Sequence, residues 1–219
     1  MKGSIRAIFL QTLFPEKCIS CKVRGEILCL NCQSKLSPNL DYINKNTLAF
    51  YSYKDPSIKK MLWLLKYKGK TKVAHILATL IYNQILELLV DKKMMDNFVD
   101  PILVSIPVSN KRKRKRGYNQ VDLIAKHLSQ KIKDDILYIP NVLQKTKHTK
   151  RQADIKNRNQ RLQNLIGTMS VHKEAKGKIR SRNIIILDDI VTTGATMREA
   201  EKTLRKSGAK KVLMLAVAH

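Results

Sequence analysis

Asp188 and Asp189 follow directly on Ile184, Ile185, Ile186 and Leu187, and after a two-residue spacer come Thr192, Thr193, Gly194, Ala195 and Thr196. Residues of these types at this spacing can hold a phosphorylated sugar. Unpaired backbone N–H groups at a helix start, with the helix dipole behind them, bind an anion, and Gly194 lets the backbone approach it closely. The threonine hydroxyls add donors. Two carboxylates would repel that same phosphate, so they are better suited to accept hydrogen bonds from sugar hydroxyls or to hold hydrated Mg²⁺. A ribose 5-phosphate carries all of these groups. The stretch has neither the spacing nor the lysine of GxxxxGK[ST], and it is not a GxGxxG loop. A purely structural strand-to-helix turn capped by Asp and Thr is the competing reading.

The four cysteines form a second chemical cluster. Cys18, Cys21, Cys29 and Cys32 are spaced C-x2-C-x7-C-x2-C. Two CxxC knuckles can present four thiolates tetrahedrally to one zinc ion and leave no open position for catalysis, so the metal would be structural. Gly25 can supply the tight return between them. Two disulfides are the rival, weaker for a chain read as cytoplasmic and without a leader. A redox CxxC is weaker still, because the pair is duplicated.

Lys111, Arg112, Lys113, Arg114, Lys115 and Arg116 are six consecutive basic residues, closed by Gly117, Tyr118, Asn119 and Gln120. As a basic loop at the carboxyl end of a parallel strand they would face the same crevice as Asp188 and Asp189 and could hold pyrophosphate there. A solvated charge run or a nucleic-acid patch is also open, and six charges exceed what one pyrophosphate needs. The whole chain leans the same way, with 43 Lys plus Arg against 17 Asp plus Glu, a net charge of +26 and a pI near 10.1. A polyanion partner would relieve that self-repulsion, whereas a general use of surface lysine needs none. Aromatics make up only 5%, so no extended base-stacking platform is evident. Residues 143–167 are basic, polar and poor in apolar periodicity. They could close over a charged substrate, with Gln152, Arg158, Arg161 and Asn164 as polar candidates and His148 as an acid–base candidate.

These groups need elements to position them. The apolar run 184–187 suits a strand buried on both faces, and helical periodicity resumes at Met197, Ala200 and Leu204 and ends at Gly208. A further buried strand is expected over 212–217. Earlier, strands are expected over 48–53 and 102–108, and helices from Pro56 to near Gly69, over 73–90 and over 121–132. Trp63, Lys66 and Tyr67 lie along the first of these helices, where a lone tryptophan is more often core than base contact. Strands alternating with helices make the class α/β. The polar stretch 36–46 reads as a junction between an N-terminal cysteine module, residues 1–46, and a main domain, residues 47–219. No run of about 18 or more uninterrupted apolar residues is present, so no membrane span is expected. The mildly basic start lacks the hydrophobic length and cleavage site of a signal peptide, and the chain reads as cytoplasmic.

The string LDDIVTTGAT resembles the phosphoribosyl pyrophosphate signature of type I phosphoribosyltransferases. Further matches are the paired CxxC knuckles; Pro107 with Arg112, Arg116, Gly117, Tyr118, Asn119 and Gln120; and Thr149, Gln152, Arg161 and Asn164. Together these resemble the ComF family, which includes competence proteins and GntX-like relatives. The resemblance runs from Cys18 to the final strand. It implies a type I phosphoribosyltransferase-like parallel sheet flanked by helices, with a small zinc-ribbon-like module at the N-terminus. It also implies that Asp188 and Asp189 bind ribose hydroxyls, that Asp189 to Thr196 wrap the 5-phosphate, and that Arg112, Arg116 and Gly117 meet pyrophosphate. Asp188, Asp189 and Arg116 would then carry any catalysis, with structural zinc and Mg²⁺ as cofactors. A role in DNA uptake follows, with single-stranded DNA at Lys111 to Arg116 and competence-machinery proteins as partners.

Overall fold

The computed structural model describes residues 16–44, 46–133, 135–146 and 167–219. Its strands, in chain order, are β1 (Asp41–Asn44), β2 (Thr47–Tyr51), β3 (Ile102–Ser105), β4 (Leu137–Tyr138), β5 (Leu143–Lys145), β6 (Met169–Val171), β7 (Asn183–Ile190) and β8 (Lys211–Ala218). Six of them form one sheet in the order β1-β2-β8-β7-β3-β4, and β5 pairs with β6 in a separate two-stranded antiparallel sheet. Within the large sheet β1 runs antiparallel to β2, and all other neighbours are parallel.

The two central strands show why apolar residues are continuous there. Successive side chains point to opposite faces. In β7, Ile185 and Leu187 enter one core, together with Leu213, Leu215 and Val217 of β8 and residues of the Pro56–Tyr67, Lys72–Asp96 and Gln120–Lys131 helices. Ile184 and Ile186 enter a second core with Val212 and Met214, against Met197, Ala200 and Leu204 of the Ala195–Lys206 helix. Both faces are covered, so neither can alternate with polar residues.

The helices begin and end on local signals. Asp55 caps the Pro56–Tyr67 helix, accepting from the N–H groups of Ser57 and Ile58, with proline in its first turn. Asn119 caps the Gln120–Lys131 helix through Val121 N–H. The Lys72–Asp96 helix extends beyond the expected 73–90 and ends on left-handed Asn97. By length and composition it would cross a bilayer, but half of its apolar window is buried inside the protein. Val73, Leu77, Ile81 and Ile85 pack in the first core, which makes it a core helix.

Several elements differ from expectation. The basic run is not a loop but the Asn110–Arg116 helix, with Ser109 accepting from Arg112 N–H at its start and left-handed Gly117 at its end. A capped start and a glycine stop outweigh like-charge repulsion on an exposed face. Strand β3 ends at Ser105, short of Val108. Strands β1, β4 and the β5–β6 pair are additional to those expected, and β1 lies within the stretch read as a junction. Trp63 lies on the outer face of its helix rather than in the core. His148, Thr149, Gln152, Arg158, Arg161 and Asn164 fall outside the described residues.

Candidate functional site

Asp188 and Asp189 stand at the carboxyl end of β7, next to the end of β3 on one side and β8 on the other. The two carboxylates differ. Asp189 is 4% exposed, and its Oδ2 accepts from Gln120 Nε2 at 2.9 Å and pairs with Lys66 Nζ at 2.9 Å. Asp188 is half-buried and accepts the Asp189 N–H at 2.8 Å through Oδ1. Burial, with the Asp189 charge beside it, pushes the Asp188 carboxyl up to about 7, against the opposing pull of that N–H, Lys66 and Lys145. Asp188 is therefore the carboxylate with room for a further cation or hydroxyl.

The turn after β7 is built by backbone geometry. Gly194 is the N-cap of the Ala195–Lys206 helix with φ +69°, a conformation that favours glycine. Thr193 Oγ1 accepts Ala195 N–H at 3.4 Å. Thr192 is exposed, and Thr193 and Thr196 are half-buried. Arg198, in the first helical turn, brings its guanidinium to 3.1 Å from where a Gly194 Cβ would lie. This cation was not singled out from the sequence, and its place four residues after Gly194 was the available signal.

The basic helix does not present its six cations alike. Lys111 to Lys115 are exposed, whereas Arg116 is half-buried and donates from Nη1 to Gln120 Oε1 at 2.6 Å. Gln120 in turn donates to Asp189, so Arg116, Gln120, Asp189 and Lys66 form one hydrogen-bonded chain across four elements. Arg112 is exposed and Gly117 closes the helix. The residues after Gly117 brace the crevice. Tyr118 donates its hydroxyl to Leu65 O, Asn119 Nδ2 donates to Ile106 O and Asp122 Oδ1, and Ser105 also donates to Asp122. Beside this brace lies a cavity of about 130 Å³ lined by Ser105, Pro107, Asn110, Lys113, Gln144 and Lys145, among others. Burial and the nearby Arg112 lower the Lys145 amine, and Asp188 partly offsets them. Lys66, Gln120 and Lys145 acquire their place only through the fold.

The four cysteines meet as the spacing predicts. Their sulfur atoms all lie within 4.8 Å of one another, and Cys21 Sγ is 3.5 Å from Cys29 Sγ. Tetrahedral zinc with Zn–S near 2.3 Å places its sulfurs about 3.8 Å apart, so the donor set fits that ion. Gly25, at φ +120°, donates its N–H to Glu16 O across the knuckle. Burial raises the Cys18 thiol, but N–H groups of Cys29, Cys21 and Ser20 outweigh it and lower the thiol to about 6. The Cys32 N–H favours a Cys29 thiolate, yet burial and the neighbouring sulfurs push it up to about 12. Crowded sulfurs that resist joint ionisation are what a divalent cation relieves.

Residues 120–219 match the family model described as "Phosphoribosyl transferase domain". Competence protein F of Haemophilus influenzae is 26% identical over 95% of this chain and 99% of its own length. The DNA utilization protein YhgH of Escherichia coli is 27% identical over 92% of this chain and 82% of its own. Competence protein ComFC of Bacillus subtilis is 25% identical over 93% and 83%. Among solved structures, a hypoxanthine phosphoribosyltransferase from Staphylococcus aureus overlaps 67% of this chain and 62% of its own at 11% identity and a TM-score of 0.38. The parallel sheet and the strand-end acidic pair accord with these matches: the chain is similar over most of its length to competence protein F and ComFC, and its residues 120–219 match a phosphoribosyl transferase domain that follows an N-terminal cysteine cluster.

Proposed function

We propose that the chain binds phosphoribosyl pyrophosphate with Mg²⁺ at the end of β7 and serves DNA uptake from the cytoplasm. The observation that carries this reading is Asp188, open to a cation or ribose hydroxyl, directly ahead of a glycine-capped helix start, with Arg116 held one glutamine away from Asp189. The N–H groups at Gly194 to Thr196 take the 5-phosphate, and Asp188 and Asp189 take the ribose hydroxyls. Arg116 faces the pyrophosphate, with Arg112 and Gly117 at its margin. Bound Mg²⁺ would neutralise pyrophosphate as a leaving group. The chain's own residues orient and neutralise: in a transfer reaction a nucleophile attacks the ribose C1 as pyrophosphate leaves, with no proton shuttle required of Asp188 or Asp189. The cysteine module, residues 1–46, holds structural zinc and offers a contact to other competence proteins, and residues 47–219 form the ribosyl-binding body.

Calorimetric titration of phosphoribosyl pyrophosphate with Mg²⁺ tests this. A magnesium-dependent signal that vanishes in the Asp188→Asn, Asp189→Asn double variant is expected; equal signals in both proteins would refute the site. A second reading is favoured by the exposed Asn110–Arg116 helix and the net charge of +26. Lys111 to Arg116 then hold single-stranded DNA, and affinity falls steeply with salt as counterion release weakens. The double Asp variant separates the readings, since it leaves this binding intact.

A further inference from the structure

The outer face of the Pro56–Tyr67 helix carries groups that the ribosyl site does not use. Trp63, the chain's sole tryptophan, is 39% exposed, and Tyr67, one turn later, is 64% exposed. Their ring centroids are 6.4 Å apart. Adjacent aromatic rings left in water mark a contact surface more than a core. Cations gather around them: Lys60 Nζ and Lys68 Nζ lie 4.7 and 5.3 Å from the Trp63 centroid, and Arg116 Cζ lies 5.4 Å from that of Tyr67. An exposed cation–π contact contributes only about 0.5–1 kcal/mol. The lysine tips can therefore leave the ring faces for an anion while a flat ligand takes their place.

The partner must offer both flat rings and negative charge. A duplex hides its base faces in its own stack, and an acidic peptide brings charge without rings. A single strand brings both, and every base has a π-face for sequence-tolerant stacking. Four residues of helix rise about 6 Å, enough to seat a base on each ring. Arg116 joins this face to the rest of the site, because it also belongs to the chain that ends on Asp189 and closes the exposed basic helix.

We propose that Trp63 and Tyr67 form a base-stacking platform for single-stranded nucleic acid, with Lys60, Lys68 and Arg116 on the flanking phosphates. The strand leaves the platform along the basic helix and passes the mouth of the Asp189 crevice. This rests on the nucleic-acid reading of Lys111 to Arg116 and adds to it the residues that hold bases.

Since Trp63 is the sole tryptophan, its emission reports the platform directly. The zinc-loaded full chain is titrated with an oligothymidylate and, separately, with inorganic polyphosphate and polyglutamate, while anisotropy of end-labelled oligothymidylate reports affinity. Oligothymidylate is expected to quench Trp63, and polyphosphate to compete for binding without quenching. Tyr67→Ala should weaken oligothymidylate binding by about 5- to 150-fold with an unchanged salt slope, and Tyr67→Phe should retain it. Oligothymidylate binding with no quenching and no effect of Tyr67→Ala overturns the platform and leaves the basic-helix reading standing. No binding even at low salt overturns both. Equal quenching by polyglutamate also overturns the platform, and assigns this face to an acidic protein.

Discussion

The cysteine cluster and the acidic strand end are both short motifs, yet the molecule builds them in opposite ways. All four sulfurs come from the stretch between Cys18 and Cys32, and its turns close on themselves: Cys18 N–H to Val23 O, Lys22 N–H to Cys18 O and Ile19 N–H to Ile27 O. The crevice takes Asp189 from β7, Gln120 from one helix and Lys66 from another. Ligands close in sequence cost little loop-closure entropy, so spacing alone specifies them. A buried carboxylate has to find donors wherever the fold supplies them.

The largest expected effect lies in the cluster. Cys18→Ser should abolish stoichiometric zinc, measured by atomic emission, and unfold the knuckle, since structural zinc binding in small modules supplies on the order of 10 kcal/mol. Amide exchange should rise through 17–33 while β7 and β8 stay protected. Loss of protection in β7 would show that the cluster is not self-contained, a live question because Cys18, Leu28 and Cys32 also join the main core.

Next comes the crevice. Lys66→Met leaves the 4%-exposed Asp189 charge with fewer partners, and should cost about 2–4 kcal/mol in urea unfolding. Adding Asp189→Asn should recover most of that loss. Simple additivity of the two changes would mean that the crevice is not an assembled unit.

A smaller effect concerns pH. Asp188 titrates near 7 in the folded chain, above roughly 3.9 in the unfolded one. Its contribution is therefore fully present below about pH 4 and lost as pH rises through 7. Metal-free Asp188→Asn, which cannot ionise, should gain roughly 1–3 kcal/mol on the parent between pH 5 and pH 8. A gap that stays constant over that range would remove burial as the cause.

The smallest effect is shared by both regions. Gly25→Ala and Gly194→Ala, at φ +120° and +69°, should each cost about 1–2 kcal/mol in melting experiments. Only Gly194→Ala should also weaken phosphoribosyl pyrophosphate binding. An equal effect of Gly25→Ala on that ligand would couple the two regions.

The amino-acid order by itself determined the cysteine cluster, the acidic pair at a strand end, the glycine-started helix after it and the α/β class. In each case the information is local: ligand spacing, apolar runs buried on both faces, and residues that stop or start helices. Short elements such as β1, β4 and the β5–β6 pair were not legible, because a few polar or mixed residues become strands only when a neighbour offers them hydrogen bonds. The basic run read as a loop for a different reason: its signals, Ser109 at the start and Gly117 at the end, are local, but six like charges in a row masked them. Tertiary structure alone decided that Arg116, of six equal-looking cations, turns to Gln120, that Lys66 neutralises Asp189, and that Trp63 and Tyr67 face solvent. A side chain's partner across the sheet depends on how helices pack over it, and no spacing within one segment encodes that.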